Sequence, residues 1–146
     1  MHIQKENISL GDEVLTGATV GTNGAYIAEI LTEAGVSVLR HITVGDNLAI
    51  LADTFRDAGD RADIVVATGG LGPTSDDLTA EAAAKASGLP LQMDPEALEK
   101  IEAYFRQRNF PMKDSNRKQA LFPRGAEQLD NPVGTRLRLH QVGDVI

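Results

Sequence analysis

The sequence predicts an α/β fold, a parallel sheet with helices over both faces. Three features carry this expectation. Short β-branched or apolar runs alternate with stretches of helical periodicity in the first half of the chain. The helical stretches close on glycines, at Gly35, Gly59 and Gly88. The run "DIVVA" (63–67) is apolar throughout, the pattern of a strand buried on both faces. A βαβαβα order of this kind implies parallel strands joined by right-handed crossovers.

The elements follow in order. "NISL" (7–10) is a short strand ending at Gly11. Ile27, Ile30, Leu31 and Ala34 fall on one helix face, and Gly35 stops that helix. "VSVLRHITV" (36–44) is β-branched and reads as strand. Leu48, Leu51, Ala52 and Phe55 repeat the helical spacing, with Gly59 as the stop. After strand 63–67, a helix runs from about Asp77 to Ser87 and closes on Gly88 and Pro90. The second half is less regular. Residues 94–108 form a helix with Asp94 as N-cap, Pro95 at its first position and Leu98, Ile101 and Phe105 as its stripe. "SNRKQALF" (115–122) reads as a short helix before Pro123, and "RLRLHQV" (136–142) alternates like a one-sided strand. No repeat or linker interrupts residues 1–146, which are read as one domain.

Composition narrows the function. The 146 residues are 42% hydrophobic and 24% charged, ordinary for a globular domain. A formal charge of −7 opposes nonspecific binding to nucleic acid or an anionic membrane, so neither is expected as a partner. The chain has no cysteine, hence no disulfide or thiolate chemistry, which fits the cytoplasm. No apolar stretch approaches the roughly 20 residues of a membrane span. The start, "MHIQKEN", lacks the apolar core of a signal peptide.

"TGGLGPTSDD" (68–77) carries the chemistry. In a parallel sheet, ligands bind at the carboxyl ends of strands, where this turn lies. Gly69, Gly70 and Gly72 let a ligand approach the backbone, and the following helix offers unpaired N–H groups to an anion. Thr68, Thr74 and Ser75 add hydroxyls. The turn is neither a Walker loop nor a G-x-G-x-x-G turn, and Asp76 or Asp77 could instead cap the next helix. One cap explains one acid, not two. Adjacent carboxylates repel an anion unless a cation such as Mg²⁺ or Mn²⁺ bridges them. "GDE" (11–13) and "GD" (45–46) place Asp12, Glu13 and Asp46 at two further strand ends. Taken singly, Asp46 reads as the cap of helix 48–58 and Asp12 as a turn residue. Together they suggest a site. In "NRKQA", Arg117 and Lys118 read as a solvated face, or Asn116, Lys118 and Gln119 reach a ligand phosphate. His2, His41 and His140 show no metal-ligand spacing.

"GDEVLTGATVGTNGAYIAEIL", "TVGDN", "TGGLGPTSDDLT" and "NRKQALFPRGAEQLDNPVGT" together resemble the N-terminal domain of CinA-type competence/damage-inducible proteins. That domain is part of the molybdopterin-binding superfamily that includes MoaB and Mog. The resemblance runs from about Ile8 to Thr135. It implies a three-layer α/β/α fold with a mainly parallel sheet. It implies either of two activities: metal-dependent hydrolysis of ADP-ribose at its diphosphate, with Mg, Mn or Co, or molybdopterin binding without turnover. On the motif positions, Asp46 and Asp77 look like the functional carboxylates. Thr68, Gly69, Gly70 and Gly72 look like the phosphate turn, and Asp12 matches the acid after the first strand. Asp12, Asp76 and Asp77 are the expected metal ligands. CinA-type sequences usually continue from "NPVGT" through an "APG"-like loop to an "LPG-x-P" turn. Here "RLRLHQVGDVI" follows instead, so the C-terminal end is expected to be incomplete. The half-apolar strand 136–142 and the oligomers of superfamily relatives together predict a homo-oligomer, with a dimer favoured.

Overall fold

The computed structural model describes residues 2–129, Asn131 and the backbone of 138–140. Strand β1 (Gln4–Leu10) is followed by a one-turn helix, α1 (Asp12–Leu15), and by α2 (Thr22–Glu33). Strand β2 (Ser37–Val44), helix α3 (Leu48–Arg61), strand β3 (Ile64–Thr68) and helix α4 (Thr79–Ser87) complete the first half. The three strands form a parallel sheet in the order β2-β1-β3. Helix α2 lies on one face, where it accepts hydrogen bonds from β1 side chains. Helices α3 and α4 pack on the other, so the architecture is a three-layer α/β/α.

The centre of the sheet is not the apolar run. Among the described residues, strand β3 lies beside β1 only, and Ile64 is 39% exposed. The expectation that 63–67 is buried on both faces is therefore corrected. The buried strand is β1, "QKENISL", whose residues from Lys5 onward are all buried. It starts at Gln4 rather than Asn7 because its polar residues find partners. On the α2 face, Lys5 Nζ donates to Ile27 O (3.4 Å) and Asn7 Nδ2 donates to Gly24 O (3.1 Å). Ser9 Oγ lies 2.9 Å from His41 Nε2. On the α3 face, Glu6 accepts from Arg61 Nε and Nη2 at 2.9 and 3.0 Å, with Arg40 at 3.7 Å. Above Glu6, Ile8 and Leu10 join Val44, Leu51, Ala58 and Ala82 in the main core.

A bulge in β2 makes this arrangement work. Lys5 pairs with Val38 but Glu6 pairs with Arg40, so Leu39 is the extra residue. Without it Leu39, not Arg40, would stand beside Glu6. The shift also sends His41 to the α2 face, against Gly24, where a Cβ would run into its ring.

Helix ends follow their local chemistry. Gly35 (φ 84°) closes α2 and Gly88 (φ 67°) closes α4, as the sequence predicts. Helix α3 is capped by Asn47, whose side chain accepts from Ile50 N–H at 3.1 Å, and it continues past Gly59 to Arg61. Asp46 is therefore not its cap. Helix α4 starts at Thr79, two residues later than expected.

The second half has its own core. Strand β4 (Leu91–Met93) leads into α5 (Pro95–Gln107), with Asp94 capping by accepting from Ala97 N–H at 2.8 Å. A 3-10 helix (Asp114–Ala120) then runs into β5 (Leu121–Pro123), antiparallel to β4. The expected helix 115–122 thus ends two residues early. Ala97, Ile101, Ala120 and Phe122 form this second cluster. Strand β6 (Glu127–Leu129) pairs antiparallel with β7 (Arg138–His140). The predicted strand 136–142 otherwise lies outside the described residues.

Candidate ligand-binding site

The carboxyl ends of β1, β2 and β3 meet at one edge of the sheet. Asp12 and Asp46 clasp each other there. Asp46 N–H donates to Asp12 Oδ1 at 2.9 Å, and Asp12 N–H donates to Asp46 Oδ2 at 3.4 Å. Gly45 lets this happen, since a Cβ at that position would lie 2.5 Å from Asp12 Oδ1. Burial raises the Asp46 carboxyl above the usual range, and the charges of Asp12, Glu13 and Asp76 push the same way.

Asp77 sits differently. Its Oδ2 accepts from Thr74 N–H (2.8 Å) and Thr74 Oγ1–H (2.7 Å). The carboxylate lies against Gly72, where a Cβ would approach Oδ2 to 2.6 Å. Burial alone would raise this carboxyl. Hydrogen bonds from Thr74 and from the Gly72 N–H, with the Lys118 charge, outweigh it and hold the group below the usual range. Neither Asp76 nor Asp77 caps α4. Its N-cap is Leu78, which makes no side-chain cap bond. Asp77 instead organises the loop that precedes the helix.

The loop is anchored from two sides. Gly69 (φ 102°) and Gly70 (φ 65°) adopt backbone closed to other residues. Gly69 passes so close to β1 that a Cβ would meet Leu10 O at 2.6 Å. Thr79 Oγ1–H donates to Gly69 O (2.7 Å), and Thr79 N–H donates to Gly70 O (3.1 Å). From the 3-10 helix, Lys118 Nζ donates to Thr74 O (2.6 Å) and Gln119 Nε2 to Leu71 O (3.5 Å). Buried Asn116 orients Gln119 by donating to its Oε1 at 3.4 Å. Arg117 faces away, 3.9 Å from Glu102 on α5.

A cleft of about 80 Å³ opens beside the loop. Gly70, Leu71, Gly72, Asp77, Lys118 and Gln119 form its polar side, with Ala80 and Glu81 from α4. Leu91, Leu121 and Phe122 close it with apolar surface. Of the expected ligand-binding residues, Gly70, Gly72, Lys118 and Gln119 line this cleft. Thr68 ends β3, Thr74 and Ser75 are exposed on the loop, and Asn116 acts behind Gln119. Glu81 and Thr79 were missed by the sequence reading. The signal for Thr79 is a hydroxyl directly after the "DDL" of the turn.

The expected metal ligands do not converge. Asp12 Oδ1 is turned to Asp46 N–H, while Asp77 Oδ2 is turned to Thr74. Among the described residues, no group of three Asp, Glu or His side chains is placed to hold a cation. As arranged, Asp12, Asp76 and Asp77 do not fit a divalent ion.

Residues 6–141 match the family model described as a probable molybdopterin binding domain. The chain belongs to this family. Within it, the likeness is to CinA-type proteins. A CinA-like protein of Citrifermentans bemidjiense is 46% identical over 130 residues, 89% of this chain and 31% of that protein. The chain thus spans about a third of the length of such relatives. The crystal structure of CinA from Thermoplasma acidophilum, described as of unknown function, superposes with a TM-score of 0.87. It is 37% identical and covers 94% of this chain and 80% of that one. A molybdopterin biosynthesis protein from Mycobacterium abscessus shares the fold at a TM-score of 0.54 and 24% identity. That match covers 73% of this chain and 66% of the other.

Proposed function

We propose that the cleft binds a small molecule carrying phosphate on a pterin- or purine-like ring. The observation that carries this reading is the loop 69–74 itself. Its carbonyls are tied back to Thr79, Gln119 and Lys118 beside a cleft half lined by apolar side chains. A planar ring suits the Leu91–Leu121–Phe122 side. A phosphate suits the loop, the uncapped start of α4 and Lys118. The family description supports a pterin-type ligand. Calorimetric titration with molybdopterin-like pterin phosphates and with ADP-ribose tests the reading. Absence of binding by every one of them overturns it.

A second reading is hydrolysis of ADP-ribose at its diphosphate, with Asp46 and Asp77 as the functional carboxylates. Its support is the Asp12–Asp46 clasp at the carboxyl end of the sheet, where burial, with the charges of Asp12, Glu13 and Asp76, raises the Asp46 carboxyl. Incubation with ADP-ribose, with and without added Mg²⁺, Mn²⁺ or Co²⁺, tests it. AMP release supports hydrolysis, and binding without AMP leaves the binding module. A homodimer and a cytoplasmic setting belong to the same proposal. Val20, 81% exposed, and Tyr26 and Ile30 on α2 offer apolar surface for a second copy. A mass near 15.6 kDa by light scattering at every concentration would remove the dimer.

A further inference from the structure

Thr79 is buried (8% exposed), yet it does not cap its own helix. Its two donors are spent on two successive carbonyls of the glycine turn, Gly69 O and Gly70 O. The fit is close: a Cβ at Gly70 would collide with Thr79 Oγ1. All described peptide bonds are trans, so the N–H of each peptide points opposite to its C=O. With Gly69 O and Gly70 O drawn to Thr79, the N–H groups of Gly70 and Leu71 face away from it. Neither finds a protein acceptor among the described residues. Two consecutive open N–H groups, on residues that line the cleft, are donors suited to an anion.

We infer that Thr79 is a positioning residue for the ligand's phosphate, fixing the Gly70 and Leu71 N–H groups as its donors. This rests on the proposed phosphate-binding role of the cleft. A Gly-Gly peptide flips easily, because both residues accept either sign of φ. The backbone N–H of Thr79 holds Gly70 O whatever the side chain. Among the described residues the hydroxyl alone holds Gly69 O, and so it sets the Gly70 N–H.

The test compares wild type, Thr79→Ser and Thr79→Val by calorimetry. The probes are ADP-ribose and 6-hydroxymethylpterin diphosphate, with adenosine and 6-hydroxymethylpterin as their phosphate-free counterparts. Valine keeps the shape and removes the donor. Thr79→Val is expected to weaken the phosphorylated probe about tenfold, roughly one charge-assisted hydrogen bond. It should leave the phosphate-free probe within about twofold, and Thr79→Ser should stay near wild type for both. A purely structural role would weaken both probes alike, and that outcome overturns the assignment. So does unchanged affinity of Thr79→Val for the phosphorylated probe. If Thr79→Val does not fold, amide NMR of the wild type decides. The Gly70 and Leu71 N–H signals must shift on titration with inorganic pyrophosphate, and stationary signals refute the role. A wild type that binds no phosphorylated probe removes the cleft's phosphate reading itself, and the Thr79 role with it.

Discussion

Asp77→Asn separates a loop organiser from a helix cap. Asn caps a helix almost as well as Asp, so a capping role predicts almost no change in stability. The structure gives Asp77 different work. Its Oδ2 accepts two hydrogen bonds from Thr74, and the Gly72 backbone lies against the carboxylate. The asparagine oxygen can keep the Thr74 pair, but as neutral bonds, and its NH₂ then faces the Gly72 backbone. A hydrogen bond to a charged group is worth about 1.5–3 kcal/mol and a neutral one about 0.5–1.5 kcal/mol. Solvent near this half-buried group trims the difference, leaving a loss of roughly 1–2 kcal/mol. For a chain of this length that is about 3–6 °C in Tm. The sign with pH follows from the depressed carboxyl. The stabilisation is fully present above the unfolded value of about 3.9 and is lost as pH falls through the lower folded value. Urea unfolding of both proteins at pH 7 and near pH 3 measures this. Midpoints that coincide at pH 7, or a gap that does not narrow in acid, would refute the loop-organiser role.

Other outcomes follow from the same geometry. Asp46→Asn should stabilise the protein slightly at pH 7, by at most about 0.5 kcal/mol after solvent screening, because burial and then the charges of Asp12, Glu13 and Asp76 disfavour its carboxylate. A raised carboxyl loses its penalty on protonation, so this gain should disappear as pH falls below about 4, read as Tm against pH. Arg61→Ala should destabilise the protein clearly, since it removes the two-bond guanidinium from the buried Glu6 carboxylate and leaves only the longer Arg40 contact. Double substitution with Glu6→Gln should recover part of the loss in chemical denaturation. Gly24→Ala should destabilise by about 1–3 kcal/mol, because its methyl enters the space of the His41 ring. His41→Ala in the same chain should relieve most of that cost.

The helices and the alternation of strand and helix along the first half were legible because periodicity and glycine stops report local backbone directly. Asp94 with Pro95, Gly35 and Gly88 work where the sequence places them. The sequence marks only the second half of β1, because Gln4, Lys5 and Glu6 look like surface residues. Only α2, Arg61 and the β2 bulge, all remote in sequence, make the burial of Lys5, Glu6 and Asn7 tolerable. The two-sided burial expected of β3 fails for the converse reason: an apolar run reports hydrophobicity, not position in the sheet. At the site, the glycines and acids were visible as residue types. Their directions were not. Nothing local says that Asp77 turns back to Thr74, that Asp12 and Asp46 clasp each other, or that Gln119 reaches Leu71 across 48 positions.

The polar inner strand has a consequence for how the chain threads itself. An apolar β1 could slide by one residue between its neighbours and still bury grease on both sides. Here a slip exchanges the two faces of the strand. Glu6 would land beneath α2, far from Arg61, and Lys5 would enter the Ile8–Leu51 core without an acceptor. Each misplaced charge costs several kcal/mol, so wrong registers are rejected as they form. Because Gly11, Gly45 and Gly69 sit directly beyond the three strands, the same check sets the height at which the acids and the glycine turn meet. The charges at the foot of β1 thus act as a ruler for the chemistry at its head.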